Sequence, residues 1–135
     1  PNVKTLGTIT EEAFREMKTG FRAPYLYDAA QKLATGVISV ETLKGLNENE
    51  TRDELISIKG VGEKVANCVM LFSLGFREAF PVDVWIKRAM IHFYLAPDVS
   101  LNKIRVFGRE KFGELAGLAQ QYLFYYAREN NIKVE

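Results

Sequence analysis

Lys64 follows two closely spaced glycines, Gly60 and Gly62, and stands 19 residues before Asp83. The stretch from Leu55 to Ala66 reads Leu-Ile-Ser-Ile-Lys-Gly-Val-Gly-Glu-Lys-Val-Ala, and Phe80-Pro81-Val82-Asp83 comes after it. A Gly-Val-Gly turn between two helical patterns presents backbone N–H groups at the start of a helix. Without Cβ atoms in the way, a phosphate can approach them closely. The lysine then supplies an amine nucleophile beside that phosphate, and the aspartate supplies a charge partner. Such a set suits chemistry on a nucleic acid.

Each of these residues also has a plain structural reading. A lysine near a helix start is usually a solvated charge. Asp83 is a good helix N-cap, its carboxylate satisfied by N–H groups, and a capped carboxylate stays ionised and rigid. Cys68 lies four residues after Lys64, on the same helix face, and could be a small core residue. Gln120 and Phe124 are likewise four apart, and Phe124 belongs to an aromatic group with Tyr122, Tyr125 and Tyr126 that could simply pack. Phe21 could be buried and Arg22 a surface charge, and Lys87 and Arg88 ordinary solvated cations. Val65 fits the apolar face of the helix that Lys64 opens.

The elements that must position these residues read as helices. Thr10 precedes an acidic first turn at Glu11-Glu12, and Pro24 suits the first turn of a helix running to about Ala34 and stopped by Gly36. Ser39 opens a short helix through Lys44. Thr51-Arg52-Asp53-Glu54 matches a capping box, with Leu55, Ile56 and Ile58 as its apolar face. After the glycine turn, Val65, Val69, Phe72 and Leu74 continue at helical spacing to Gly75. Asp83 caps a helix bearing Val84, Ile86, Ala89, Met90 and Phe93. Ser100 caps another, with Ile104 and Phe107 or Phe112 inward, and a last helix spans about 114 to 128. No strand-like alternation, repeat or low-complexity stretch competes. The expectation is an all-α bundle of seven or eight short helices.

Composition bounds the class. A chain of 135 residues, 47% hydrophobic and 26% charged, is ordinary for one globular domain with a real core. A net charge of +1 means that any nucleic-acid surface is a local patch. Cys68 and His92 are the only cysteine and histidine, which removes intramolecular disulfides, multi-thiolate metal sites and the usual zinc sites. No apolar run approaches the roughly 18–20 residues of a membrane span, and no signal-peptide pattern is present. Cysteine usage points to a reducing, intracellular setting. The chain begins at Pro1 without methionine, so it is expected to be part of something longer.

Four ordered blocks carry a resemblance: Gly20-Phe21-Arg22-Ala23 with Tyr25, Gly60 through Cys68, Ala79 through Val84, and Ala119 through Phe124. Together they resemble the 8-oxoguanine DNA glycosylase/lyase family, in the helix-hairpin-helix superfamily of base-excision glycosylases. The blocks span nearly the whole chain. Lys59 departs from the proline usual in the hairpin, and Trp85 from a common histidine.

The resemblance implies a role for each block. Lys64 would attack the sugar C1′ and form an imine, which requires the neutral amine; desolvation, nearby positive charge and the positive end of its helix all favour that form. Glycosylases of the superfamily that only activate water lack this lysine, so Lys64 argues for a bifunctional enzyme. Asp83 would stabilise the cationic sugar and help activate Lys64. Cys68 and Phe124 would sandwich the extruded base, and Gln120 would read its Watson–Crick edge. Phe21 would wedge into the duplex and Arg22 bond the orphaned base, while Gly60, Gly62, Val65, Lys87 and Arg88 would meet the DNA backbone. The implied partner is double-stranded DNA containing oxidised guanine, bound by a monomer with no cofactor, metal or membrane. Residues 1–135 would form a single helical catalytic region, with the hairpin motif at about 51–74. The family's N-terminal sheet domain, its asparagine-bearing loop and the carbonyl that discriminates the oxidised ring would lie upstream of Pro1.

Three other readings stay open. A non-catalytic helix-hairpin-helix module carries the glycine turn but has no reason to place a lysine and an aspartate in these blocks. Sister glycosylases act on other damaged bases; those for thymine glycol and adenine mismatches typically carry a four-cysteine iron–sulfur cluster, impossible with Cys68 alone, and alkylated-base enzymes lack the lysine. A helical protein–protein module would not show duplex binding that falls steeply with salt.

Overall fold

The computed structural model describes residues 2–134; Pro1, with the reading of the chain start, and Glu135 lie outside them. All regular structure among the described residues is helical. The chain divides into two compact units, Pro1–Ala66 and Asn67–Glu135.

In the first unit, α1 (Val3–Leu6), α2 (Glu11–Glu16), α3 (Ala23–Ala34), α4 (Val40–Gly45) and α5 (Glu48–Ile56) follow in order, with a 3-10 turn at Gly20–Arg22 leading straight into α3. Side-chain oxygens set the helix starts. Thr10 accepts the Ala13 N–H, Ser39 accepts the Thr42 N–H, and Asn2 does the same for Thr5. Each cap satisfies an N–H that the helix cannot pair internally. Phe14, Ala23 and Ala30 form the core joining α2 to α3, with Leu6 and Ile9 packed against them.

The expected capping box at Thr51 is displaced by one turn. Asn47 is the N-cap of α5: its side chain accepts the Glu50 N–H, and Glu50 reaches back to the Asn47 N–H. Thr51 is fully buried inside the helix, where its hydroxyl donates to the Leu43 carbonyl at the end of α4. Both four-residue windows satisfy the motif's chemistry; the earlier one prevails because it lets Thr51 close α4 onto α5. Arg52 is buried beside it, paired with Glu48 at 2.7 Å and Asn49 at 2.8 Å.

The second unit holds most of α6 (Glu63–Phe72), then α7 (Val84–Phe93), α8 (Leu101–Phe112), a 3-10 turn at Gly113–Leu115, and α9 (Ala116–Glu129). Phe80, Val82, Ile86, Met90, Ile104 and Ala116 make its core, flanked by Phe107, Phe112, Leu123 and Phe124. Ala89, Ala127 and Ile132 pack with Trp85 where α7 meets α9. The Phe80 ring lies so close to Gly108 that a Cβ there would sit 2.6 Å from it, which is why α8 carries glycine at a position unfavourable for helix. Along α6 the expected apolar face is partly wrong. Val65 and Phe72 are exposed, and the buried positions are Ala66, Asn67 and Met70. Apolar periodicity identified the helix, but packing selected the face carrying Ala66, Asn67 and Met70.

Candidate nucleic-acid interface and reactive lysine

The hairpin at 57–62 joins α5 to α6. Gly60 has φ +80°, and a Cβ there would overlap the ring of Tyr25 from α3, so both backbone and space demand glycine. Nothing lies within 4 Å of where a Gly62 Cβ would point, leaving the approach to the helix start open. The Gly62 carbonyl accepts the Ala66 N–H, the first intrahelical bond of α6. Open access at the positive end of a helix dipole suits an anion.

Lys64 projects from that first turn and is exposed, as is Val65. In the same unit, Phe21 and Arg22 stand exposed on the 3-10 turn before α3, Phe21 at 69%. The Arg22 guanidinium lies 4.5 Å over the Phe21 ring, whose edge meets Tyr25 at 6.3 Å between centroids. The buried-Phe alternative therefore fails for Phe21. A large exposed aromatic beside an arginine suits stacking on bases.

The remaining candidates belong to the second unit. The buried run Phe80-Pro81-Val82 delivers Asp83 to its half-buried place. There Asp83 N-caps α7, its Oδ1 accepting the Ile86 N–H at 2.8 Å. Gln120 on α9 is buried, and its amide donates to the Pro81 carbonyl at 2.9 Å, so α9 is tied to the segment two residues before Asp83. The Gln120 Oε1 accepts from Gln121 at 2.6 Å. Phe124, one turn further along, is half-buried against the core, and Arg128 lies 5.4 Å from its ring centroid. Cys68 is half-buried on α6 and in no disulfide. Lys87 and Arg88 are half-buried on α7, with Arg88 4.9 Å over the Trp85 ring. Among the described residues no three His, Cys, Asp or Glu side chains gather as a metal site, and no helix is long and apolar enough to cross a membrane.

Sequence reasoning missed three residues that hold the hairpin in place, Tyr25, Asp28 and Lys32 on α3. Tyr25 carried only a motif signal. Asp28 and Lys32 carried no more than their four-residue spacing, the commonest surface ion-pair pattern.

The arrangement has close relatives. Residues 42–72 match the family model for the helix-hairpin-helix motif. A probable N-glycosylase/DNA lyase of Methanothermobacter thermautotrophicus is 36% identical over 87% of this chain and 38% of its own length. The N-glycosylase/DNA lyase OGG1 of Arabidopsis thaliana is 34% identical over 92% of this chain and 37% of its own. A crystal structure of Clostridium acetobutylicum 8-oxoguanine glycosylase/lyase, in complex with double-stranded DNA containing cytosine opposite 8-oxoguanine, superposes with a TM-score of 0.91. It is 57% identical and covers 98% of this chain and 46% of that one. Over nearly its whole length the chain is thus similar to N-glycosylase/DNA lyases and carries their helix-hairpin-helix motif. It spans less than half the length of these relatives.

Proposed function

We propose that residues 1–135 form the helical catalytic region of a bifunctional DNA glycosylase/AP lyase that excises oxidised guanine from duplex DNA inside the cell. The observation that carries the reading is Lys64, exposed on the first turn of a helix whose approach at Gly62 is open. Phosphate held at that helix end brings a deoxyribose to the lysine. Desolvation of the amine then comes with the bound DNA, added to the field of the helix end.

The Lys64 amine attacks C1′ as the N-glycosidic bond breaks, and the base leaves with the bonding electron pair and takes up a proton. Loss of the nitrogen proton and opening of the sugar ring give an imine. The imine acidifies the C2′ proton; its removal expels the 3′ phosphate by β-elimination and cuts the strand. Asp83, kept rigid by its cap bond, stabilises the cationic sugar in the first step. Cys68 and Phe124 stack on the extruded base and Gln120 reads its edge, while Phe21 and Arg22 fill and contact the vacated site. Gly60, Gly62, Val65, Lys87 and Arg88 take the backbone. Support for this assignment comes from the glycosylase/lyase names of relatives at 34–57% identity across most of the chain.

Borohydride reduces the imine to a stable amine, so incubation with lesion-bearing duplex should leave protein covalently bound to DNA. Lys64→Gln should abolish both trapping and strand cleavage while circular dichroism stays native. A substituted protein that still traps DNA would refute the nucleophile.

A further inference from the structure

Three hairpin residues are each held by a different residue of α3. The Lys32 ammonium donates to the Ser57 carbonyl at 2.7 Å and to the Asp28 carboxylate at 2.8 Å. The Lys59 N–H donates to the same Asp28 oxygen, Oδ2, also at 2.8 Å. The Tyr25 ring lies against Gly60. Tyr25, Asp28 and Lys32 are spaced by three and then four residues, so they share one face of α3. An exposed i,i+4 ion pair alone contributes little. This one differs because both partners also bond to backbone about 25 to 31 residues away.

Asp28 is the node, since one oxygen accepts from both the ammonium and the Lys59 N–H. The hydrogen bond from Lys32, and after it that from the Lys59 N–H, holds its carboxyl below the ordinary aspartate value, so it is ionised at neutral pH. The same helix follows directly from the turn carrying Phe21 and Arg22, and Tyr25 touches both Phe21 and Gly60. One rigid helix therefore sets the wedge residues and the hairpin together.

We propose that Asp28 is a positioning residue for Lys64: by clamping the Lys59 N–H and the Lys32 ammonium, it fixes the hairpin from which α6 starts. The Lys64 amine is thereby held in register with the DNA backbone bound there. The inference rests on the reading of Lys64 as nucleophile. Lys64 lies five residues beyond Lys59, and small displacements of a reacting group cost large factors in rate.

Single-turnover borohydride trapping on duplex with a pre-formed abasic site tests it, at a temperature well below every variant's melting midpoint. Asp28→Ala should trap about tenfold more slowly than native protein. Asp28→Asn keeps an oxygen for the Lys59 N–H and should stay within about threefold, a rescue that a merely structural loss of charge would not give. Native trapping by Asp28→Ala overturns the proposal, and so does equal slowing of the two variants. Should Asp28→Ala fail to fold, Lys32→Met removes the ammonium that Asp28 and the Ser57 carbonyl share and should slow trapping likewise; a native rate in that variant overturns the proposal. Lys64→Gln run alongside separates the two ideas: if it still traps, the nucleophile assignment fails, whatever Asp28 does.

Discussion

On Asp83 an observed structural duty and a proposed chemical one fall on one carboxylate. Its Oδ1 caps α7, yet asparagine caps helices about as well as aspartate. Asp83→Asn should therefore leave the melting temperature nearly unchanged. If the charge stabilises a cationic sugar, the same change should slow base excision by roughly 100-fold or more with duplex affinity little altered. Equal losses of binding and rate would return Asp83 to a pure cap. Phe124 separates two steps in the same way. Phe124→Ala should remove base stacking of about 1–3 kcal/mol and depress base excision, while cleavage at a pre-formed abasic site survives. Because Phe124 also packs on the core, its melting temperature should fall somewhat. Parallel loss of both activities in folded protein would make it a core residue alone.

Among the elements, α5 and the α3–hairpin pair make separate demands. Asn47 caps α5 through a reciprocal pair with Glu50, so Asn47→Ala should destabilise by about 1 kcal/mol, read as a shift in denaturant midpoint at unchanged slope. No such loss would mean that α5 is held by Thr51 and Arg52 rather than by its cap. The α3 clamp carries a pH signature. The Asp28 carboxyl titrates below its ordinary value in the folded protein, so the unfolded chain binds that proton more readily. Its contribution is fully present above the ordinary aspartate range and is lost as pH falls through the folded value. The melting-temperature gap between native protein and Asp28→Asn should thus be widest at neutral pH and close as the pH falls below the ordinary aspartate range. A gap independent of pH would show that the carboxylate's charge does not stabilise the clamp.

At the scale of the whole molecule, charge decides how DNA binding must behave. A net charge of +1 gives no global attraction for DNA, so the proposed affinity has to come from a few local cations and the helix end at the hairpin. Neutralising even three phosphates gives a log–log salt slope near −3, so raising salt from about 50 to 200 mM should weaken duplex binding by more than tenfold. Salt-independent binding would favour a protein–protein module instead.

What the sequence determined by itself was local. Caps at Thr10, Ser39, Asp83 and Ser100 depend on side chains within four residues of the backbone they serve, and the turns at Gly36 and Gly60 on the positive φ those glycines adopt. The ordered blocks likewise marked the candidate residues, because a chemical role restricts residue type at a position. Tertiary structure decided the rest. It chose Asn47 over Thr51 as a cap, since only packing against α4 makes Thr51 more useful buried. It turned Ala66, Asn67 and Met70 inward on α6 in place of Val65 and Phe72, left Phe21 exposed, and bonded Gln120 to Pro81 across 39 residues. It also brought Asp28 to the Lys59 N–H. No periodicity encodes a side chain's bond to backbone 31 residues away; it exists only once α3 lies against the hairpin.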